Sequence, residues 1–174
     1  MAEAIKPSPV KLIIGAIFAS EGILIKARQR LERKFGPVDF QSPAIPFDFT
    51  DYYRQEMGPN LTRRFFSFQR LIKPDELAAI KLYTNRLEAQ FSRRQEKSSR
   101  SINLDPGYIS QAKLVLASCK NYYHRIYLGK GVFAEIALYF QEGSFKFHPW
   151  TYPDYKSASY IKSFTAIREI YRRQ

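Results

Sequence analysis

The sequence predicts an α+β or α/β fold in a single domain. The expected architecture is a mixed β-sheet with three to four helices, built on a ferredoxin-like strand-helix-strand core with a C-terminal meander. Three observations point there. A continuous apolar run, Val10 to Ala19, leads straight into an amphipathic segment and then a second short apolar segment, which is the strand-helix-strand pattern. After residue 122, strand-like runs follow one another closely across turn residues, as in a meander. The 174 residues are 45% hydrophobic and 25% charged, enough for one core without disulfides or metals. A three-layer α/β sandwich is the alternative arrangement.

Residues 1–9 read as a loose leader and residues 10–174 as one globular domain. Val10 to Ala19 is a buried strand, with Gly15 where something packs closely. Its apolar stretch is too short to span a bilayer, and Glu3, Pro7 and Pro9 fit a signal peptide poorly, so a cytoplasmic protein is expected. Ser20 suits a helix N-cap. Leu24, Ala27, Leu31 and Phe35 repeat at three and four residues, and Gly36-Pro37 ends that helix. Val38 to Gln41 is a short strand. Pro43, Pro46, Gly58 and Pro59 break up residues 42–62 into a long loop. Phe65 to Ile72 reads as strand. Pro74, Asp75 and Glu76 open a helix whose stripe is Leu77, Ile80, Thr84, Leu87 and Phe91. Residues 92–101 carry four basic residues and one acid, with no apolar residue before Ile102, and read as a flexible basic loop. Ile102 to Leu104 resumes a short strand, and Asp105-Pro106 then resembles a capped helix start, with Ile109, Ala112 and Leu116 at apolar spacing. His124 to Leu128, Val132 to Phe140 and Ser144 to Phe147 are strands, the last two joined at Gln141-Glu142-Gly143. A final helix begins near Ser157, with Ile161, Phe164, Ile167 and Tyr171 inward.

Charge narrows the partners. Lys and Arg number 28 against 16 Asp and Glu, a net charge of +12, which attracts polyanions such as nucleic acid or phosphorylated small molecules. The chain has no Gly-rich phosphate loop, no Gly-x-Ser-x-Gly elbow and only two histidines, which excludes a multi-histidine metal site. A lone Cys119, in an apolar run, reads as buried packing.

The candidate site residues lie in the loops. Asp48 and Asp51 sit among Phe47, Phe49, Tyr52 and Tyr53, where paired carboxylates can hold Mg²⁺ or act as a base; capping turns in a proline-rich loop is the alternative. Asp105 either caps a helix or joins that chemistry. Arg125 and Lys130 are candidate phosphate holders, and Trp150, Tyr152 and Asp154 a candidate ring-binding loop. Glu135, in an apolar strand, needs a partner, and Arg125 across neighbouring strands supplies one. A shared cleft would bring Asp48, Asp51, Asp105, Arg125, Lys130 and Asp154 together, walled by Trp150 and Tyr152.

Several segments resemble a known family: Phe47-Asp48-Phe49-Thr50-Asp51-Tyr52-Tyr53, Glu56-Met57-Gly58, Asn103 to Tyr108, His124 to Gly131, and Pro149 to Tyr155. They are similar to the signature segments of an uncharacterised bacterial family, domain of unknown function 4416, from Lys11 to the C-terminus. The resemblance implies a bacterial, cytosolic, single-domain protein and no particular activity. The expected function is binding or processing of a phosphorylated ligand, a nucleotide or RNA. The alternative is a non-catalytic module that docks a partner protein through its aromatic loops.

Overall fold

A computed structural model describes residues 1–92 and 100–174 of the chain. The central strand is β1 (Lys11–Phe18), all eight residues buried, which is why its sequence from Leu12 on is apolar without alternation. It pairs from Ile13 to Phe18 with β4 (Thr62–Phe68) on one side and along its whole length with β5 (Ile102–Ile109) on the other. The remaining strands are β2 (Val38–Gln41), β3 (Ile45–Pro46), β6 (Lys113–Ser118), β7 (Ile126–Gly129), β8 (Val132–Gln141) and β9 (Ser144–Phe147). Among the described residues these form one nine-stranded sheet in the order β2-β4-β1-β5-β6-β8-β7, with β3 also on β4 and β9 also on β8.

The fold class is α+β, as the sequence predicts, but the sheet is not mixed. Every pairing is antiparallel. The reason lies in the crossovers. Helix α1 (Glu21–Phe35) connects β1 to β2 with β4 between them, and α3 (Leu77–Phe91) connects β4 to β5 with β1 between them. Strands of the same direction are therefore never neighbours. The short α2 (Arg54–Met57) lies in the proline-rich stretch, and α4 (Ala158–Arg172) ends the chain.

Alternate residues of the sheet face opposite helix layers. Leu12, Ile14, Ala16 and Phe18 of β1 pack with Leu24, Leu31 and Phe35 of α1 and Ile80 and Leu87 of α3. On the other face Ile13 and Phe65 pack with Tyr160, Phe164 and Ile167 of α4. Each such fully buried side chain contributes about 1.5–3 kcal/mol relative to exposure. Gly15 faces α4, and the space a side chain would take is filled by the Phe65 ring and the Arg63 guanidinium, 2.9 and 3.2 Å from an ideal Cβ.

Two expectations about the strands are corrected. The short strand expected at Ile102 to Leu104 is present, but it continues through Asp105-Pro106 to Ile109, and residues 105–118 are not a capped helix but the rest of the β5–β6 hairpin: Asn103, Asp105 and Gly107 share one face of the sheet, the period-two pattern of a strand. Pro106 is tolerated because it stands where β5 loses β6, and no ladder bond is needed there. The strand placed at Phe65 begins at Thr62 and so includes Arg63. Within the stretch 92–101, residues 93–99 lie outside the described residues, and Arg100 is tied into the fold by ion pairs described below. Residues 1–9 are exposed and form neither helix nor strand. Among the described residues, no helix is long and apolar enough to cross a membrane.

The seam between β5 and β6 positions the site. β5 pairs with β1 over eight residues but with β6 only at Gly107–Ile109. The two strands touch tightly at that end: a Cβ on Gly107 would lie 2.3 Å from the Val115 carbonyl oxygen. From Pro106 back to Ile102 they part, and the gap is floored by α3.

Candidate functional site

A cleft of about 700 Å³ opens where β5 and β6 separate, a volume typical of small-molecule sites. Its floor comes from three elements. On α3, Lys81, Asn85 and Glu88 recur at i, i+4 and i+7, so they share one side of the helix next to its apolar stripe. From β5 come Asn103 and Asp105, and from β4 comes Arg63. Aromatic side chains of two loops wall it: Phe47, Phe49, Tyr52 and Tyr53 on one side, Tyr152 and Tyr155 on the other.

Arg63 organises the floor. It is fully buried, with Nη1 donating to Asp105 Oδ2 at 2.8 Å and Nη2 to the Tyr155 hydroxyl at 3.1 Å. Asp154 Oδ2 stands 3.9 Å from Nη2. The rings of Phe65, Tyr155, Phe47 and Tyr160 surround the guanidinium at 5.1–5.9 Å, where their faces stabilise a cation. Asp105 also accepts from Asn103 Nδ2 at 2.8 Å. Burial alone would raise its carboxyl, but Arg63 and Lys81 outweigh that and hold it below the ordinary range. Asp154 goes the other way: burial raises it, and Arg63 only partly offsets the rise. Glu88 is raised by burial to about 7, against the pull of Lys81, the Leu104 N–H and Arg100.

The cations of the cleft differ in what they have left to give. Arg125 is spent. Its Nε donates to Glu135 Oε2 at 2.9 Å, its Nη1 to Ser118 Oγ and the Lys120 carbonyl at 3.0 and 2.7 Å, and its Nη2 to the Tyr152 hydroxyl at 2.8 Å. It braces one wall by tying β6, β8 and the Tyr152 loop together. The expected Arg125–Glu135 pair is present, with His124 Nε2 on the same carboxylate oxygen at 2.6 Å. Arg100 is similarly occupied, by Glu56 at 2.8 Å and Asn103 at 2.8 Å. Lys120 donates to the Tyr52 hydroxyl at 2.9 Å and lowers its pKa. Lys81 is 7% exposed, yet among the described residues its ammonium makes one hydrogen bond, to the Leu104 carbonyl at 3.1 Å. Its nearest carboxylate oxygen, on Asp105, is 3.9 Å away. An ammonium has three donors, so two face the cleft unspent.

Of the residues the sequence singles out, Asp105, Arg125, Tyr152 and Asp154 line this cleft, while Asp48, Asp51, Lys130 and Trp150 do not. Asp51 pairs with Arg54 at 3.1 Å on the surface. Asp48 is exposed beside a smaller hollow of about 240 Å³. Among the described residues no three His, Cys, Asp or Glu side chains group as metal ligands would. Lys130 occupies a positive-φ turn position, φ 55°, between β7 and β8. Trp150 donates to the Ile136 carbonyl at 3.1 Å and stacks between His148 and His124, with centroids 4.6 and 5.3 Å away. Cys119 is exposed rather than buried; it lines the cleft and accepts from Asn85 Nδ2 at 3.2 Å.

Sequence reasoning misses Lys81, Glu88 and Arg63. Lys81 and Glu88 each follow an apolar stripe residue, Ile80 and Leu87, and such positions read as a helix's ordinary polar border. Arg63 carried a usable signal: an arginine alternating with Phe65 and Ser67 must face the same side of β4.

No curated protein and no solved structure matches the chain. The family described as Domain of unknown function (DUF4416) matches residues 8–171. That span is nearly the whole chain, so the chain belongs to the DUF4416 family.

Proposed function

We propose that the cleft binds a small phosphorylated ligand that carries an aromatic ring, as a mononucleotide does. The carrying observation is Lys81, a buried ammonium with unspent donors in a ring-walled cleft. An ammonium out of water is costly unless an anion or hydrogen-bond acceptors meet it, and a phosphate supplies both. Phe49, Tyr52, Tyr53 and Tyr152 offer ring faces for stacking, a sequence-tolerant contact worth about 1–3 kcal/mol per base. The volume suits one nucleotide better than a strand of RNA, and five cations against four carboxylates in the lining make the cleft nearly neutral. The chain's +12 therefore resides mostly elsewhere.

The test is a thermal-shift and calorimetric series with AMP, ATP, adenosine and a short single-stranded RNA. A nucleotide at a hundredfold excess over its Kd should stabilise the native state by about 2.7 kcal/mol. Adenosine should bind more weakly than AMP, and Lys81→Met should remove the difference. Equal binding of adenosine and AMP by the wild type, or a preference for AMP over adenosine that survives Lys81→Met, would overturn the reading.

A specific feature favours a second reading, a module that docks a partner's extended strand. β7 ends the sheet path, and its Ile126, Tyr127 and Leu128 are exposed together with Tyr122 and Tyr123. A free apolar edge is a ready template for strand addition. Such docking should persist at salt concentrations that weaken polyanion binding steeply.

A further inference from the structure

Glu88 is out of place in a cleft that holds an anion. It lies on the same side of α3 as Lys81, two turns away, and a carboxylate there would repel the group that Lys81 attracts. Its surroundings show how the conflict is resolved. Glu88 is 8% exposed. Its Oε1 accepts the Leu104 amide N–H at 2.7 Å, whereas Oε2 has no hydrogen bond among the described residues. The cation nearest to Oε2 is Arg100 Nη1, at 3.7 Å, and that nitrogen is already given to Asn103. The charged groups facing Glu88 are Lys81 from its own helix, Arg100 ahead of β5 with Glu56 behind it, and Asp105 on β5. His124 and His148 do not line the cleft.

We propose that Glu88 binds the ligand's anionic group as the neutral acid, its Oε2–H donating a hydrogen bond to a ligand oxygen, so that the anion is taken up together with one proton. This rests on the reading of the cleft as an anion site. The geometry supplies what the role requires. Oε1 is fixed by a backbone donor, which leaves Oε2, on a side chain that lines the cleft, as the oxygen free to carry the proton. A hydrogen bond from a carboxylic acid to an anionic oxygen is charge-assisted and strong. Burial favours the neutral form and puts the titration near 7, so the proton is present in mildly acid solution. Above that range it is drawn from solvent on binding.

Sulfate is the probe, because its charge is constant between pH 5 and 9. Its dissociation constant is measured on the full chain at fixed ionic strength, and only the binding that Lys81→Met removes is assigned to the cleft. The expected affinity is level below pH 6 and weakens by about tenfold per pH unit above pH 7, the signature of one proton taken up. Glu88→Gln, whose amide also donates, should bind with a level profile near the wild-type affinity at pH 6. On the native chain, the Glu88 carboxyl carbon observed by NMR at pH 8 should move toward its protonated position as sulfate is added, a readout that does not depend on any variant folding. Lys81-dependent binding with a level wild-type profile, a slope that survives Glu88→Gln, or an unmoved carboxyl resonance overturns the role of Glu88 and leaves the anion cleft standing. Absence of Lys81-dependent sulfate binding at every pH overturns the anion cleft, and the role of Glu88 with it.

Discussion

Lys11 and Lys81 are both buried ammonium groups beside the same sheet, and they are held in opposite ways. Lys11, 0% exposed on β1, donates to Asp39 on β2 and to the Gln174 side-chain oxygen at 2.8 Å. Asp39 in turn accepts from Ser67 Oγ at 2.6 Å, and Gln174 Nε2 donates to the Gln69 carbonyl at 3.0 Å. Each member of that group is answered by another. Lys81 has one hydrogen bond and a distant carboxylate. A buried charge that serves the fold is closed by protein partners; one left with open donors in a cleft is shaped for a partner from outside. Burial alone does not distinguish the two, and the count of unspent donors does.

Breaking the closed group should give the largest effect. Asp39→Ala leaves Lys11 buried without its counter-charge, and removing one member of a buried pair costs about 3–5 kcal/mol. Urea denaturation near neutral pH should show that loss. Lys11→Met combined with Asp39→Leu should recover most of it, because the unpaired charge is then gone.

Glu88 marks the open group in the pH dependence of stability. Its folded pKa, about 7, lies above its ordinary 4.5, so the native state keeps a proton that the unfolded chain has lost. Stability therefore falls as pH rises from about 4.5 to 7 and stays lowered above that window. Glu88→Gln removes this dependence. At pH 8 it should be more stable than wild type by up to about 3 kcal/mol, from the 4.5-to-7 shift, and the two should converge at pH 4. Urea melts at the two pH values give the comparison.

Lys81→Met should differ from any change at Lys11. It gives up one hydrogen bond and a loose pairing but also removes a poorly answered charge, so stability should change by less than about 1 kcal/mol. Anion binding should be lost. A cost of several kcal/mol, with binding intact, would make Lys81 a structural lysine like Lys11.

The elements that bury an apolar stripe were legible from sequence. The Leu24, Ala27, Leu31, Phe35 stripe matches the buried face of α1 residue for residue, and the turn between β8 and β9 sits at Glu142-Gly143, both at positive φ. The β5–β6 hairpin was legible only at its start, Ile102 to Leu104; from Asp105 on it was not, because Asp105-Pro106 satisfies local helix-start chemistry while the sheet needs a strand there, and tertiary pairing with β1 wins. Half of the candidate site was visible as unusual loops. The rest depends on β5 and β6 pairing only from Gly107 on and standing apart before it, an arrangement of distant residues that no local pattern encodes. Lys81 and Glu88 acquire their significance only from that gap.

The smallest effect is expected where the sequence pointed most directly. Asp51 is paired with Arg54 across 3.1 Å, the two side chains 81% and 65% exposed, and its backbone carbonyl accepts the Arg54 N–H at 2.9 Å at the start of α2. Asp48 is exposed on the same loop. An ion pair this solvated contributes little, and the capping bond of Asp51 comes from its main chain, which a substitution leaves in place. Asp48→Asn with Asp51→Asn should therefore shift stability by no more than about 0.5 kcal/mol. Because neither side chain lines the cleft, Lys81-dependent sulfate affinity and its pH slope should be unchanged. Adding Mg²⁺ should move the melting temperature of the double variant and of the wild type equally. A Mg²⁺ stabilisation that the two substitutions abolish would instead establish this loop as a metal site separate from the cleft. It would also show that two exposed carboxylates framed by aromatic rings can signal function where a buried lysine gives no sign in the sequence.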